Sequence, residues 1–143
     1  MAAMKCFRIS LGAVGAIVLL AGVGHFAWYA YMRGYPELAA MGEAQWRWLA
    51  LLNQCVGLLL VFMGAATLAV ATSRSAGLAL LRTLTAVLFA TWCARLVLEL
   101  LWPVPIPFFT LREPSRLFEA LIGALLAVLA VPELLLAAGV ARR

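Results

Sequence analysis

Long apolar runs, separated by short polar segments, dominate the pattern of hydrophobic and polar positions along the chain. The four runs cover approximately Leu11–Met32, Trp48–Ala71, Leu78–Trp102 and Leu117–Val140. A helix needs about 20 apolar residues to cross a hydrocarbon core of about 30 Å, and each run meets that length. The alternation of apolar and polar residues that a membrane β-strand requires is missing from these runs. The pattern therefore predicts an all-α, polytopic membrane protein in which one domain, residues 1–143, contributes four transmembrane helices.

The segments that connect the apolar runs are short. They cover Arg33–Arg47, Thr72–Gly77 and Pro103–Arg116. Short connections force consecutive helices to run antiparallel, so the expected architecture is an up-down-up-down bundle. The first run is longer than the apolar part of a signal peptide, about 7–15 residues, and is interpreted as a retained helix.

Composition excludes several classes of protein. The chain is 66% hydrophobic and 12% charged, whereas soluble domains carry about 25% charged residues. The net charge of +5 comes from basic residues placed singly at the ends of apolar runs, which is typical of membrane proteins and not of nucleic-acid binding. Cys6, Cys55 and Cys93 are scattered and form no CxxC pair, so neither a metal site nor a cofactor is predicted.

The distribution of basic residues predicts the orientation of the helices. The side that holds both termini and the middle connection carries only basic charges, at Lys5, Arg8, Arg74, Arg82, Arg142 and Arg143. On the opposite side, Arg33, Arg47, Arg112 and Arg116 are offset by Glu37, Glu43, Glu113 and Glu119. Because cytoplasmic segments carry the excess of Lys and Arg, we expect both termini in the cytoplasm and the protein in the inner (plasma) membrane.

Small residues recur at helical spacing along three of the predicted helices. Such residues mark close helix contacts in membranes, because lipid does not drive helices together. The three stripes are Gly15, Gly22, His25, Tyr29 and Met32; Asn53, Gly57, Gly64, Thr67 and Ala71; and Glu119, Gly123, Ala127, Ala130, Glu133 and Ala137. Each stripe is predicted to form the packed face of its helix.

Polar residues of three helices fall at nearly one depth. At 1.5 Å per residue, they lie about 5–10 Å below the exterior ends of their helices. The five residues are His25, Asn53, Gln54, Arg95 and Glu99. Arg95 and Glu99 stand four residues apart on one helical face, so we expect them to pair. The layer has two interpretations: a clamp between helices, or a binding site for a small polar or anionic headgroup.

A second polar position is predicted in the cytoplasmic half. Glu133 follows Pro132, which cannot donate a backbone hydrogen bond and leaves a carbonyl near position 128 free for a polar partner. Arg82 lies at a comparable depth, so an ion pair between Arg82 and Glu133 is expected. A carboxylate at a kink can alternatively serve a proton-coupled transporter.

No motif typical of an enzyme occurs in the sequence, and the segments between the helices are too short to hold a soluble active site. His25 is the single histidine, so bis-histidine haem ligation is not expected. The expected function is that of a subunit or accessory factor within a larger membrane assembly. Its partners would be the lipid bilayer and other membrane subunits or further copies of the chain. The alternative is a small transporter, or a binder of a lipid- or quinone-type molecule, that uses His25, Arg95 and Glu99.

In general plan, four apolar runs with minimal connections resemble small bacterial four-helix inner-membrane proteins of the DoxX-like kind. The resemblance covers topology alone and implies no residue-level role.

Overall fold

A computed structural model describes residues 2–32, 34, 40–103 and 114–139. Its elements are four α-helices, and the described residues include no strand. They are α1 (Ala2–Met32), α2 (Glu43–Thr72), α3 (Leu78–Leu101) and α4 (Pro114–Ala137). All four are long and apolar enough to cross a membrane. The predicted number and type of elements are therefore confirmed.

Helix boundaries differ from the apolar runs mainly at the N-terminal ends. α1 begins at Ala2 rather than Leu11, and α2 begins at Glu43 rather than Trp48. Hydropathy marks only the apolar part of a helix, whereas backbone hydrogen bonding continues through polar residues until a turn interrupts it. α4 ends at Ala137, before Gly139 with its positive φ of 73°. The predicted end at Val140 and most of the proline-rich segment after Pro103 lie outside the described residues.

The chain divides into two compact units. One contains residues 12–70, and the other contains residues 1–11 together with residues 71–143. The division falls within the continuous helix α1, between Leu11 and Gly12. The first turns of α1 thus belong to the unit that contains α3 and α4, and the remainder of α1 belongs with α2.

Within the unit of residues 12–70, α1 and α2 are antiparallel and pack against each other at glycines. Gly15 faces Gly64, and Gly22 faces Gly57, so positions rise along α1 as they fall along α2. All four glycines are buried. The small-residue faces predicted for the first two helices are confirmed at these positions.

The backbones of α1 and α2 approach so closely that a side chain would not fit between them. A Cβ added at Gly64 would lie 2.5 Å from the backbone nitrogen of Leu19, and one at Gly22 would lie 2.6 Å from that of Val61. Small residues permit this kind of contact between helices in lipid, where van der Waals packing replaces the hydrophobic effect.

In the second unit, α3 packs against α4. Its large buried apolar residues include Phe7, Leu11, Leu81, Leu88, Ile122, Leu125 and Leu129. The small-residue face predicted for the fourth helix is wrong: Gly123 is exposed with nothing within 4 Å of an added Cβ, and Ala127 and Ala137 are exposed as well. Large aliphatic side chains fill the interior of this unit, which leaves the small residues of α4 on its outer face.

Candidate functional site: paired polar groups within the helices

His25 and Asn53 form a two-way contact between α1 and α2. The ring Nδ1 of His25 lies 2.7 Å from Asn53 Oδ1, and Asn53 Nδ2 donates to the backbone carbonyl of His25 at 2.7 Å. Gly57 stands one turn beyond Asn53, where an added Cβ would lie 2.9 Å from His25 Cβ. The glycine therefore lets α1 approach closely enough for Asn53 to reach both the ring and the backbone of one residue.

Gln54, which the sequence places at the same depth as Asn53, is exposed. Adjacent residues on an α-helix point about 100° apart, so both cannot face α1. The part of the chain that the structure describes thus brings Asn53, and not Gln54, to His25.

Arg95 and Glu99 pair along α3, with Arg95 Nη2 2.5 Å from Glu99 Oε2. The two side chains differ in environment: that of Arg95 is 40% exposed and that of Glu99 is fully buried. The expected pair is therefore confirmed, with its carboxylate inside the protein and its guanidinium at the surface.

His25 and Asn53 belong to the unit of residues 12–70, whereas Arg95 and Glu99 belong to the other unit. Their grouping into a single polar layer stays a prediction, and so does their role as a ligand-binding set. The contact of His25 and Asn53 joins α1 to α2, whereas Arg95 and Glu99 pair within α3.

The inner polar position contains the expected ion pair between α3 and α4. Arg82 Nε lies 2.7 Å from Glu133 Oε1, and Arg82 Nη2 lies 3.0 Å from Glu133 Oε2. This two-bond geometry is the strong form of an arginine–carboxylate contact. The side chains are 51% and 41% exposed, so the pair lies at the surface of the helix pair and ties α3 to α4 from outside.

Ser10 donates a hydrogen bond to the carbonyl that Pro132 leaves without a helical donor. Its hydroxyl donates to the carbonyl oxygen of Val128 at 2.6 Å. In an α-helix this carbonyl would accept from the N–H four residues later, and residue 132 is a proline without one. The sequence predicted the free carbonyl but not its donor, because Ser10 belongs to a distant part of the chain. The one indication in the sequence that Ser10 makes a hydrogen bond inside the protein was its position within the first turns of an apolar helix.

Arg8 closes the C-terminal end of α2. Its Nη1 donates to the carbonyl oxygens of Ala71, at 3.1 Å, and Ser73, and its Nη2 donates to that of Ala76 at 3.0 Å. The last carbonyls of a helix lack intrahelical donors, and a basic side chain placed there also complements the helix dipole. Sequence reasoning assigned Arg8 only to the basic flank and missed this contact.

Comparison with family models, with curated proteins and with solved structures finds no match. Among the described residues, no group of three or more His, Cys, Asp or Glu side chains is placed to hold a metal ion.

Proposed function

We propose that this chain is a small, non-enzymatic integral protein of the inner membrane that acts as a subunit or accessory factor of a larger membrane assembly. Its four helices cross the bilayer as an antiparallel bundle, and both termini lie in the cytoplasm. The basic residues near the start of the first helix, at the middle connection and at the C-terminus support this orientation.

The observation that carries the proposal is the outer face of α4. Four small residues are exposed there: Ala120, Gly123, Ala124 and Ala127. Two pairs among them, Ala120 with Ala124 and Gly123 with Ala127, have the four-residue spacing that lets two helix backbones approach in a membrane. Within this chain the glycines of α1 and α2 use the same principle, whereas the small residues of α4 face outward. A helix of another chain is the partner that such a face fits.

The polar groups inside the helices support a structural role. Arg82 pairs with Glu133 and Arg95 pairs with Glu99, while His25 and Asn53 bond to each other. A charge in the hydrocarbon is costly unless it is paired, and the two ion pairs lower that cost. The Arg82–Glu133 and His25–Asn53 contacts also join neighbouring helices.

The mass of the particle extracted in a native-lipid polymer disc tests the proposal. We expect the wild-type chain to co-purify with another membrane chain or a further copy of itself. Gly123→Leu and Ala127→Leu should abolish that association without unfolding the chain, because position 123 opens to space with no atom within 4 Å and Ala127 is exposed.

Ala13→Leu is the matched control. Ala13 is also exposed, but large residues surround it on its helix face, with Ile17 46% and Leu20 70% exposed. This variant should keep the wild-type particle mass. A wild-type particle that contains a single copy of the chain and lipid alone would refute the assembly role.

A second candidate function is binding of an anionic lipophilic molecule at Arg95. Its guanidinium is 40% exposed while its carboxylate partner is buried, so its outer face can donate to a second anion. Arg95→Lys keeps the charge beside Glu99 but loses the planar fork of donors. We expect this variant to fold normally and to lose any anionic amphiphile that the wild-type protein carries through extraction; an unchanged lipid profile would refute this function.

A further inference from the structure

The contact between His25 and Asn53 determines which ring nitrogen of His25 carries the proton. Asn53 Nδ2 lies 2.7 Å from the backbone carbonyl oxygen of His25. Of the two polar atoms of the Asn53 side chain, only the nitrogen can donate to that oxygen. The amide oxygen of Asn53 therefore faces the ring, 2.7 Å from Nδ1. Because this oxygen can only accept, Nδ1 must be the donor.

The neutral ring then has its unshared electron pair on Nε2. Among the described residues, the hydrogen bond of the ring is made by Nδ1, and the residue is partly exposed. Nε2 is therefore the nitrogen left for a donor from outside. Histidines that bind a ligand or metal through one nitrogen commonly hold the other N–H on a carbonyl or carboxylate oxygen, which orients the ring. Asn53 has this orienting role here.

The position of His25 along α1 indicates what can reach Nε2. The residue is three positions before Trp28 and seven before Met32, where α1 ends. Three residues of helix correspond to about 4.5 Å, and tryptophan marks headgroup level. His25 therefore lies just inside the boundary between headgroups and acyl chains. The adjacent Phe26 is 41% exposed, so α1 carries an apolar surface beside this position.

We propose that His25 Nε2 is a binding atom that accepts a hydrogen bond from the hydroxyl group of a lipophilic molecule. A hydrogen-bond acceptor in an apolar environment is stabilised by a donor. At this depth the donors available are hydroxyl groups carried on amphiphiles, whose apolar part lies along the exposed side chains of α1. The proposal depends on α1 spanning a bilayer but not on assembly with a partner chain.

Nitrogen NMR of isotope-labelled histidine tests the proposal. Because the chain contains a single histidine, the spectrum shows the signals of one ring. The protein is placed in phosphatidylcholine nanodiscs at a pH where the ring is neutral. We expect Nδ1 to be protonated and Nε2 to be the unprotonated nitrogen. Addition of a long-chain para-alkylphenol should shift the Nε2 resonance, and addition of the methyl ether of the same compound, which has no donor, should not.

Two variants at adjacent positions provide the control. Asn53→Leu removes the acceptor of Nδ1–H, so the proton should redistribute to Nε2 and the phenol response should shrink several-fold. Gln54→Leu changes an exposed neighbour and should leave both the tautomer and the response unchanged. If Asn53→Leu does not fold, the comparison of phenol and ether on the wild-type protein still shows whether Nε2 accepts a hydrogen bond from a hydroxyl group.

Three results would overturn the proposal: a proton on Nε2 of the wild-type protein, an equal response to phenol and ether, or no response to either. None of these results depends on the particle mass that tests the assembly role, so the two proposals fail independently.

Discussion

The hydroxyl of Ser10 bonds, at 2.6 Å, to the one carbonyl of α4 that Pro132 deprives of its helical donor, that of Val128. The two partners lie 118 positions apart in sequence. Ser10 is buried, and so is Pro132. The contact therefore connects the start of α1 to the interior of α4 at the point where the latter lacks its own hydrogen bond.

Ser10→Ala should lower the free energy of unfolding by about 1–3 kcal/mol, because the carbonyl of Val128 would lose its donor. The cost should shrink in a Pro132→Ala background, where residue 132 supplies an N–H of its own. Unfolding in mixed micelles with increasing SDS measures both values. Ser75→Ala, which alters an exposed hydroxyl, is the control and should be neutral. Equal costs of Ser10→Ala in the two backgrounds would contradict the link to Pro132.

Glycines of α1 and α2 should respond to alanine according to the space around them. Gly64→Ala and Gly22→Ala place a methyl group within 2.6 Å of a backbone nitrogen, and overpacking of this kind costs about 1–3 kcal/mol. Gly24→Ala, on the same helix as Gly22, meets nothing within 4 Å and should stabilise or leave the protein unchanged, since alanine is the better helix former. The same unfolding measurement ranks the three; a destabilised Gly24→Ala would contradict the close approach as the cause.

Reversal of the charges of Arg82 and Glu133 should be tolerated as a pair. Arg82→Glu alone and Glu133→Arg alone each place like charges opposite each other across α3 and α4. The double variant restores an attractive pair, and the two positions have similar exposure, 51% and 41%. We expect reduced amounts of folded protein in the membrane for each single variant and substantial recovery for the double. Absence of recovery would show that the orientation of the pair, and not only its charge, is required.

Charge reversal at Arg95 and Glu99 should give the opposite result. Position 99 is fully buried and position 95 is 40% exposed, so the double variant would force the larger guanidinium into the interior. Breaking a buried charge pair costs about 3–5 kcal/mol, and this reversal does not restore the original environment of either group. We expect the double variant to be no more abundant than the worse single variant, as judged by fluorescence-detected size-exclusion chromatography. Recovery to wild-type abundance would mean that burial at position 99 does not limit the exchange.

Local pairings were predictable from the sequence because spacing and depth determine them. Arg95 and Glu99 follow the i,i+4 rule, and the depth of Arg82 and Glu133 along their helices brought those two together. Both expectations are confirmed. Helix number was predictable for the same kind of reason, since apolar run length determines whether a helix can cross a membrane.

The direction that small residues face was not predictable. Gly22 and Gly123 look alike in sequence, yet one lies between two backbones and the other opens to space. Small residues indicate that a helix can be approached closely, but they do not say whether the approaching helix belongs to the same chain. Contacts between distant positions, such as those of Ser10 and Arg8, likewise depend on tertiary packing that no local pattern encodes.

The division of α1 between the two units determines when one of them can be completed during synthesis. Residues 2–11 emerge from the ribosome long before α3 and α4, yet they belong to the compact unit that those two helices complete. Until the later helices are synthesised, Phe7 and Leu11 therefore lack the rest of the unit in which they are buried. During this interval Arg8 can already hold the end of α2 through Ala71 and Ser73. A bulky fusion placed against these first turns would interfere with the closing step of assembly rather than with the first.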